Sequence, residues 1–157
     1  MLFRSHGADG LRQVAEDAVL NANYLRVLLE DDLSLSFPGP CMHEVLFDDR
    51  FLRDTGVTTL DFAKALIDEG YHPMTMYFPL VVHGALLIEP TETEGKATLD
   101  EFATVVTALA AAARSGDTGR FHAAPVLTPR RRLDETAAAR KPVLRWRPEP
   151  PHRAAAD

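Results

Sequence analysis

The sequence is poor in the residues that staple or metallate a small protein: its 157 residues include one cysteine, Cys41, one tryptophan, Trp146, and three lysines, Lys64, Lys96 and Lys141. A single cysteine excludes an internal disulfide and a thiolate metal site, and it fits a reducing compartment. No apolar run approaches the roughly 18 residues of a membrane span, and the opening Met-Leu-Phe-Arg-Ser-His-Gly lacks the apolar core of a signal peptide. The expectation is therefore a cytoplasmic protein that does not enter a membrane. Also missing are a phosphate-cradling glycine loop, a nucleophile elbow, a Cys-His arrangement and H-x-x-x-H spacing, so the residues alone show no catalytic centre and no metal site.

What is present suits one ordinary domain with a real core, since 46% of the residues are hydrophobic and 25% charged. The net charge of -6 is unevenly spread: residues 1–116 carry 8 Lys+Arg against 18 Asp+Glu, whereas residues 117–157 carry 9 against 5. Proline divides the same way, with Pro125, Pro129, Pro142, Pro148, Pro150 and Pro151 falling in the last quarter. This predicts a compact acidic unit that ends near Gly116, then an extended basic tail able to lie across an acidic surface. The run Arg130-Arg131-Arg132 is too short, and too quickly followed by Asp134 and Glu135, to predict nucleic-acid binding; a docking role is the better reading.

Three helices follow from periodicity. Leu11, Val14, Ala18, Ala22, Leu25 and Leu29 recur at spacings of three and four, which predicts a long helix over residues 8–30. Phe62, Ala63, Leu66 and Ile67 form one face of a second over 59–69, with Thr59 as N-cap and Gly70 as the left-handed residue after its end. Leu99, Phe102, Val106, Leu109 and Ala113 mark a third that stops at Gly116, opened by a capping box from Thr98 to Glu101. Between the helices, residues 41–47, 74–78 and 85–88 read as strands, the last two close enough to pair as a hairpin. The order helix, strand, helix, strand, strand, helix, tail predicts an α+β fold, an antiparallel sheet with helices on one face.

Candidate site residues are few. His43 and Glu44 are adjacent on a predicted strand, where neighbours face opposite sides, so they do not serve one site by direct contact. His72 precedes Pro73, which biases it toward extended backbone able to present the ring to a cleft. Glu89, Glu92 and Glu94 alternate where a strand gives way to a helix; capping from Thr91 to Glu94 explains part of that cluster, and three acids exceed what a cap needs.

Several phrases stand in a fixed order: Leu20-Asn21-Ala22-Asn23-Tyr24, Cys41-x-His43-Glu44, Thr55-Gly56-Val57, Gly70-Tyr71-His72-Pro73-x-Thr75-x-Tyr77-Phe78-Pro79, Ile88-Glu89-Pro90-Thr91-Glu92-Thr93-Glu94 and, in the tail, Arg132-Leu133-Asp134-Glu135 through Ala138 to Trp146. Over roughly residues 1–147 the chain closely resembles the C-terminal third of the glycine cleavage system P-protein family, the glycine dehydrogenases (decarboxylating), and above all their subunit 2 form. The resemblance implies the small C-terminal domain of a fold type I, aspartate aminotransferase-like enzyme that uses pyridoxal 5'-phosphate. It also implies a connector helix over 1–31, a small domain over 32–116 and a basic tail over 117–157.

In that family the enzyme decarboxylates glycine and passes the aminomethyl group to the lipoyl H-protein. Its cofactor lysine lies upstream of anything that matches here, so the resemblance implies no catalytic residue on this chain, no covalently bound cofactor and no activity for the chain alone. Carried over on the matching motifs, the residues expected to face the cleft are His43, His72, Glu89, Thr91 and Glu92. The implied partners are subunit 1 or another large-domain chain, the H-protein and, through an exposed Val143, Leu144 and Trp146, further copies of the chain itself. The alternative is a non-catalytic module that docks on, or complements, a large-domain chain.

Overall fold

The computed structural model describes residues 2–146 and 148. The chain runs α1 Leu2–Leu29, β1 Ser34–Leu35, β2 Val45–Asp48, a 3-10 turn Asp49–Leu52, α2 Thr59–Asp68, β3 Thr75–Met76, β4 Leu86–Ile88, α3 Lys96–Arg114, α4 Thr118–Ala123 and α5 Glu135–Arg140. The strands form one antiparallel sheet in the order β1-β2-β4-β3, with Val45 opposite Ile88, Leu46 opposite Leu87 and Phe47 opposite Leu86. The fold is thus a small α+β domain, and the expected β3–β4 pairing is present, Thr75 facing Leu87.

Alternation along the strands buries Val45, Phe47, Leu86 and Ile88. Against them pack Leu25 and Leu29 of α1, Phe62 and Leu66 of α2, and Leu99, Val106 and Leu109 of α3, all sealed from solvent. The helical spacing that predicted these faces is the spacing that fills the core. Gly70 and Gly116 both end their helices in left-handed backbone, φ 86° and 88°. Around each, two amides turn back to the helix: Gly70 N–H to Ile67 O and Tyr71 N–H to Leu66 O, then Gly116 N–H to Ala113 O and Asp117 N–H to Ala112 O.

Several expectations need correction. The first helix reaches back to Leu2 across a break at Gly7 (φ 65°, ψ -173°). The N-cap of α2 is Thr58, because its third helical residue, Asp61, returns a bond to the cap amide; a cap at Thr59 would put Phe62 there, which cannot. Thr59 is instead buried, its hydroxyl donating to Gly84 O at 3.0 Å. No capping box opens α3, which starts earlier at Lys96 after Gly95. The strands are shorter than predicted: residues 41–44 lie outside β2, so His43 is on a bend and Glu44 in irregular backbone just ahead of the strand.

The largest departure follows Gly116. Instead of leaving the body as an extended tail, the chain reverses into α4 and buries Phe121, which stacks on Phe62 with ring centroids 6.3 Å apart. Asp61 and Asp68, two turns apart on α2, then hold the chain that follows. Asp61 pairs with Arg132 at 2.7 Å, and Asp68 accepts the amides of Val126 and Leu127 at 2.7 to 2.8 Å. Arg132 also donates to Ala124 O and Phe121 O, so the basic run is committed internally through its last member. Beyond Arg132 the described residues are exposed, although α5 is a short helix inside the expected extended segment. The reading of residues 147–157 lies outside the described residues apart from Pro148.

Candidate functional site

A cleft of about 340 Å³ opens where the end of β4, the start of α3 and the approach to β3 meet the flank of α1. Its floor is apolar, built from Leu25, Ile88, Leu99 and Phe102, and its rim carries Tyr71, His72, Glu89, Thr91, Glu94 and Thr98. Such a mixture of apolar floor and few convergent polar groups is the usual form of a small-ligand site. The turn at Gly70 delivers Tyr71 and His72 to one side, where the Tyr71 ring meets Phe102 edge-on at 5.4 Å between centroids.

The structure therefore brings together three of the five residues expected to face a cleft, His72, Glu89 and Thr91. His43 stands beside them, just ahead of β2: the β2–β4 register, continued past Val45 and Ile88, sets Glu44 opposite Glu89, and His43 Nε2 lies diagonally 3.7 Å from Glu89 Oε1. Both side chains are about half exposed at 53%, so the pair is a weak one in solvent terms and its value is positional. Glu92 lies exposed on the loop and does not line the cleft. Thr91 adopts left-handed backbone, φ 59°, an arrangement that costs a non-glycine residue of order 1–3 kcal/mol and persists only where surroundings hold it.

Sequence reasoning missed what holds it. The side-chain amide of Asn21 on α1 donates to Thr91 O at 2.8 Å and to Glu94 O at 3.0 Å. Asn23 grips the opposite loop at two points, donating to Cys41 O at 2.7 Å and accepting from Cys41 N–H at 3.0 Å. The available signal was composition: asparagine favours caps and turns, so two of them inside a long helix ask for partners outside it. Glu94 was visible as part of the acidic cluster, but its place on the rim depends on the turn before Gly95.

Neither classical nucleophile is activated. Burial pushes the Cys41 thiol up, against a smaller opposing pull from its backbone hydrogen bond and Arg26, which keeps it protonated. The Lys96 ammonium bonds Asp100 Oδ2 at 2.6 Å and lies 5.2 Å from the centre of the Tyr24 ring, whose hydroxyl donates to the other Asp100 oxygen. The Asp100 bond and then Tyr24 raise the Lys96 pKa above the usual lysine range, and the same contacts hold the Asp100 carboxyl below its own. An ammonium whose ion pair favours the charged form is a poor source of the free amine that a nucleophile requires. Among the described residues no three His, Cys, Asp or Glu side chains gather as a metal site, and no helix is long and apolar enough to cross a membrane.

The model of a family described as glycine dehydrogenase, C-terminal domain, matches residues 14–127. The chain is 72% identical over 145 residues to the probable glycine dehydrogenase (decarboxylating) subunit 2 of Caulobacter vibrioides, which takes in 92% of this chain and 28% of that protein. Its likeness to the proteins of the same name from Desulforamulus reducens and Kosmotoga olearia is 51% over 149 residues and 49% over 144, in each case 30% of the relative. The chain thus spans less than a third of the relatives it matches. The stretch they share contains the whole cleft, both asparagine clamps and the buried α4, and the chain belongs to the family of glycine dehydrogenase C-terminal domains.

Proposed function

We propose that the chain forms the small C-terminal domain of a cytoplasmic, pyridoxal-phosphate-dependent glycine dehydrogenase, closing one side of a cleft whose cofactor-bearing side lies on residues outside it. The activity so assigned is decarboxylation of glycine with transfer of the aminomethyl group to the lipoyl H-protein, in company with subunit 1. In this reading α1 is the connector, residues 32–116 the small domain of a fold type I enzyme, and the chain beyond Gly116 an arm whose first turn of helix stays with the core. The 72% identity with a subunit 2 protein across nearly the whole chain carries the proposal.

The cleft residues themselves do not fit the cofactor. A phosphorylated ligand asks for cationic or amide donors, whereas this rim presents Glu89 and Glu94 and neither arginine nor lysine. Of the three lysines, Lys96 is tied to Asp100, Lys64 lies within α2 and Lys141 follows α5. His43, His72, Glu89 and Thr91 are accordingly proposed to face the bound substrate from the side opposite the cofactor, with Glu92 outside that set.

A chimera tests the assignment. With this chain grafted in place of the aligned 145 residues of the Caulobacter vibrioides protein, and with its subunit 1 and H-protein supplied, glycine-dependent release of carbon dioxide should be retained within about tenfold. The chain alone, incubated with pyridoxal phosphate and then borohydride, should carry no label on lysine. A folded chimera without activity, or a stoichiometric label on the chain alone, would overturn the proposal.

The exposed arm supports a second, lesser expectation. Val143, Leu144 and Trp146 are 88%, 91% and 83% exposed in a single copy, and exposed apolar clusters favour association. We expect the isolated chain to sediment as a dimer or larger species; a strictly monomeric profile at high concentration would refute this.

A further inference from the structure

We propose that Asn21 and Asn23 are positioning residues, a two-amide gauge on α1 that fixes the spacing between the loop after β4, which lines the cleft, and the loop before β2, which brings His43 to its edge beside Glu89. The inference deepens the functional reading above and rests on it, because it treats the cleft as the working face. At about 100° per helical residue, Asn21 and Asn23 stand on either side of Ala22, which together with Leu25 and Leu29 makes the buried stripe of α1. One amide therefore reaches each way. Asn21 holds the loop after β4 by two carbonyls, Thr91 O and Glu94 O; Asn23 holds the loop before β2 by both backbone groups of Cys41.

These bonds are not spare fastenings. Between Phe37 and His43 the only hydrogen bonds among the described residues are the two that Cys41 and Asn23 exchange, Asn23 donating to Cys41 O and accepting from Cys41 N–H. On the other side, the left-handed Thr91 sits in a loop whose remaining bonds, Thr91 to Thr93, are internal to it. His43 comes from the first loop and Glu89 and Thr91 from the second, so their mutual placement is set through one rigid helix. The arrangement matters because misplacing groups by about 1 Å can cost on the order of a hundredfold in rate.

The test compares Asn21→Ala, Asn23→Ala and the milder Asn23→Asp, which keeps the acceptor for Cys41 N–H while losing the donor. Backbone 15N relaxation of the full chain should show order parameters falling from about 0.85 to below about 0.6 over residues 37–43 in Asn23→Ala alone. The same fall should appear over 91–94 in Asn21→Ala alone, with α3 unchanged in both and Asn23→Asp intermediate. In the chimera, kcat should drop at least about tenfold with KM little altered. Order parameters unmoved, or lowered evenly across the domain, would overturn the gauge. Loops loosened as expected with kcat unchanged would leave the anchoring in place and overturn the cleft reading beneath it.

Discussion

Replacing Phe121 with alanine should cost about 3–5 kcal/mol, the range for emptying a fully buried aromatic site. The ring has no exposed surface and lies nearly parallel to Phe62, 12° between planes, while Phe62 is itself held edge-on by Phe51 at 5.3 Å. Removing it opens a cavity walled by α2 and α4, and α4 has only six residues with which to collapse inward. For a domain of this size the loss should lower the thermal midpoint by roughly 10 °C. Thermal unfolding followed by circular dichroism checks this against Leu127→Ala, where a 77% exposed side chain should change stability by no more than about 0.5 kcal/mol. Equal small effects at the two positions would mean that α4 is not part of the cooperative unit.

Asp61→Ala should be nearly as damaging, at about 3 kcal/mol. It opens the α2 capping box, typically about 1 kcal/mol, and strands the Arg132 guanidinium, which stays partly buried against the carbonyls of Phe121 and Ala124. A double change with Arg132→Met should recover part of the loss, because it removes the unpaired charge. Burial raises the Asp61 pKa, but the hydrogen bonds from Thr58 and the pairing with Arg132 outweigh it and hold the carboxyl below its ordinary value. A depressed carboxylate contributes stability that is complete above the unfolded value of about 3.9 and disappears as pH falls through the lower folded value. The wild-type chain should therefore lose stability below about pH 4 more steeply than Asp61→Asn. Parallel acid titrations of the two would count against the linkage.

Most of the fold was legible because its signals are local and long: the apolar stripes of α1, α2 and α3 each run over several turns, and their burial follows them. What was hidden depends on single contacts at a distance. β1 is a strand by virtue of Ser34 and Leu35 pairing with Asp48 and Phe47, too short to show a period. The composition break at Gly116 was real and marked a reversal of direction, but charge and proline content say nothing of one phenylalanine that folds back. The site shows the same division. His72, Glu89 and Thr91 stood in the motifs that carry the family resemblance, whereas Asn21 and Asn23 became meaningful only once α1 had been laid between the loops they hold.

The sheet has one more consequence. Its two edges, β1 and β3, are each two residues long, so a neighbouring chain finds almost no row of free amides and carbonyls to extend. Fibril growth by strand addition is thereby discouraged, and contact between copies is left to side chains of the exposed arm and of Phe78, Leu80 and Val81 in the loop after β3. Clumping of this protein should be of the reversible, amorphous kind that dilution undoes, without the cross-β order that binds amyloid dyes.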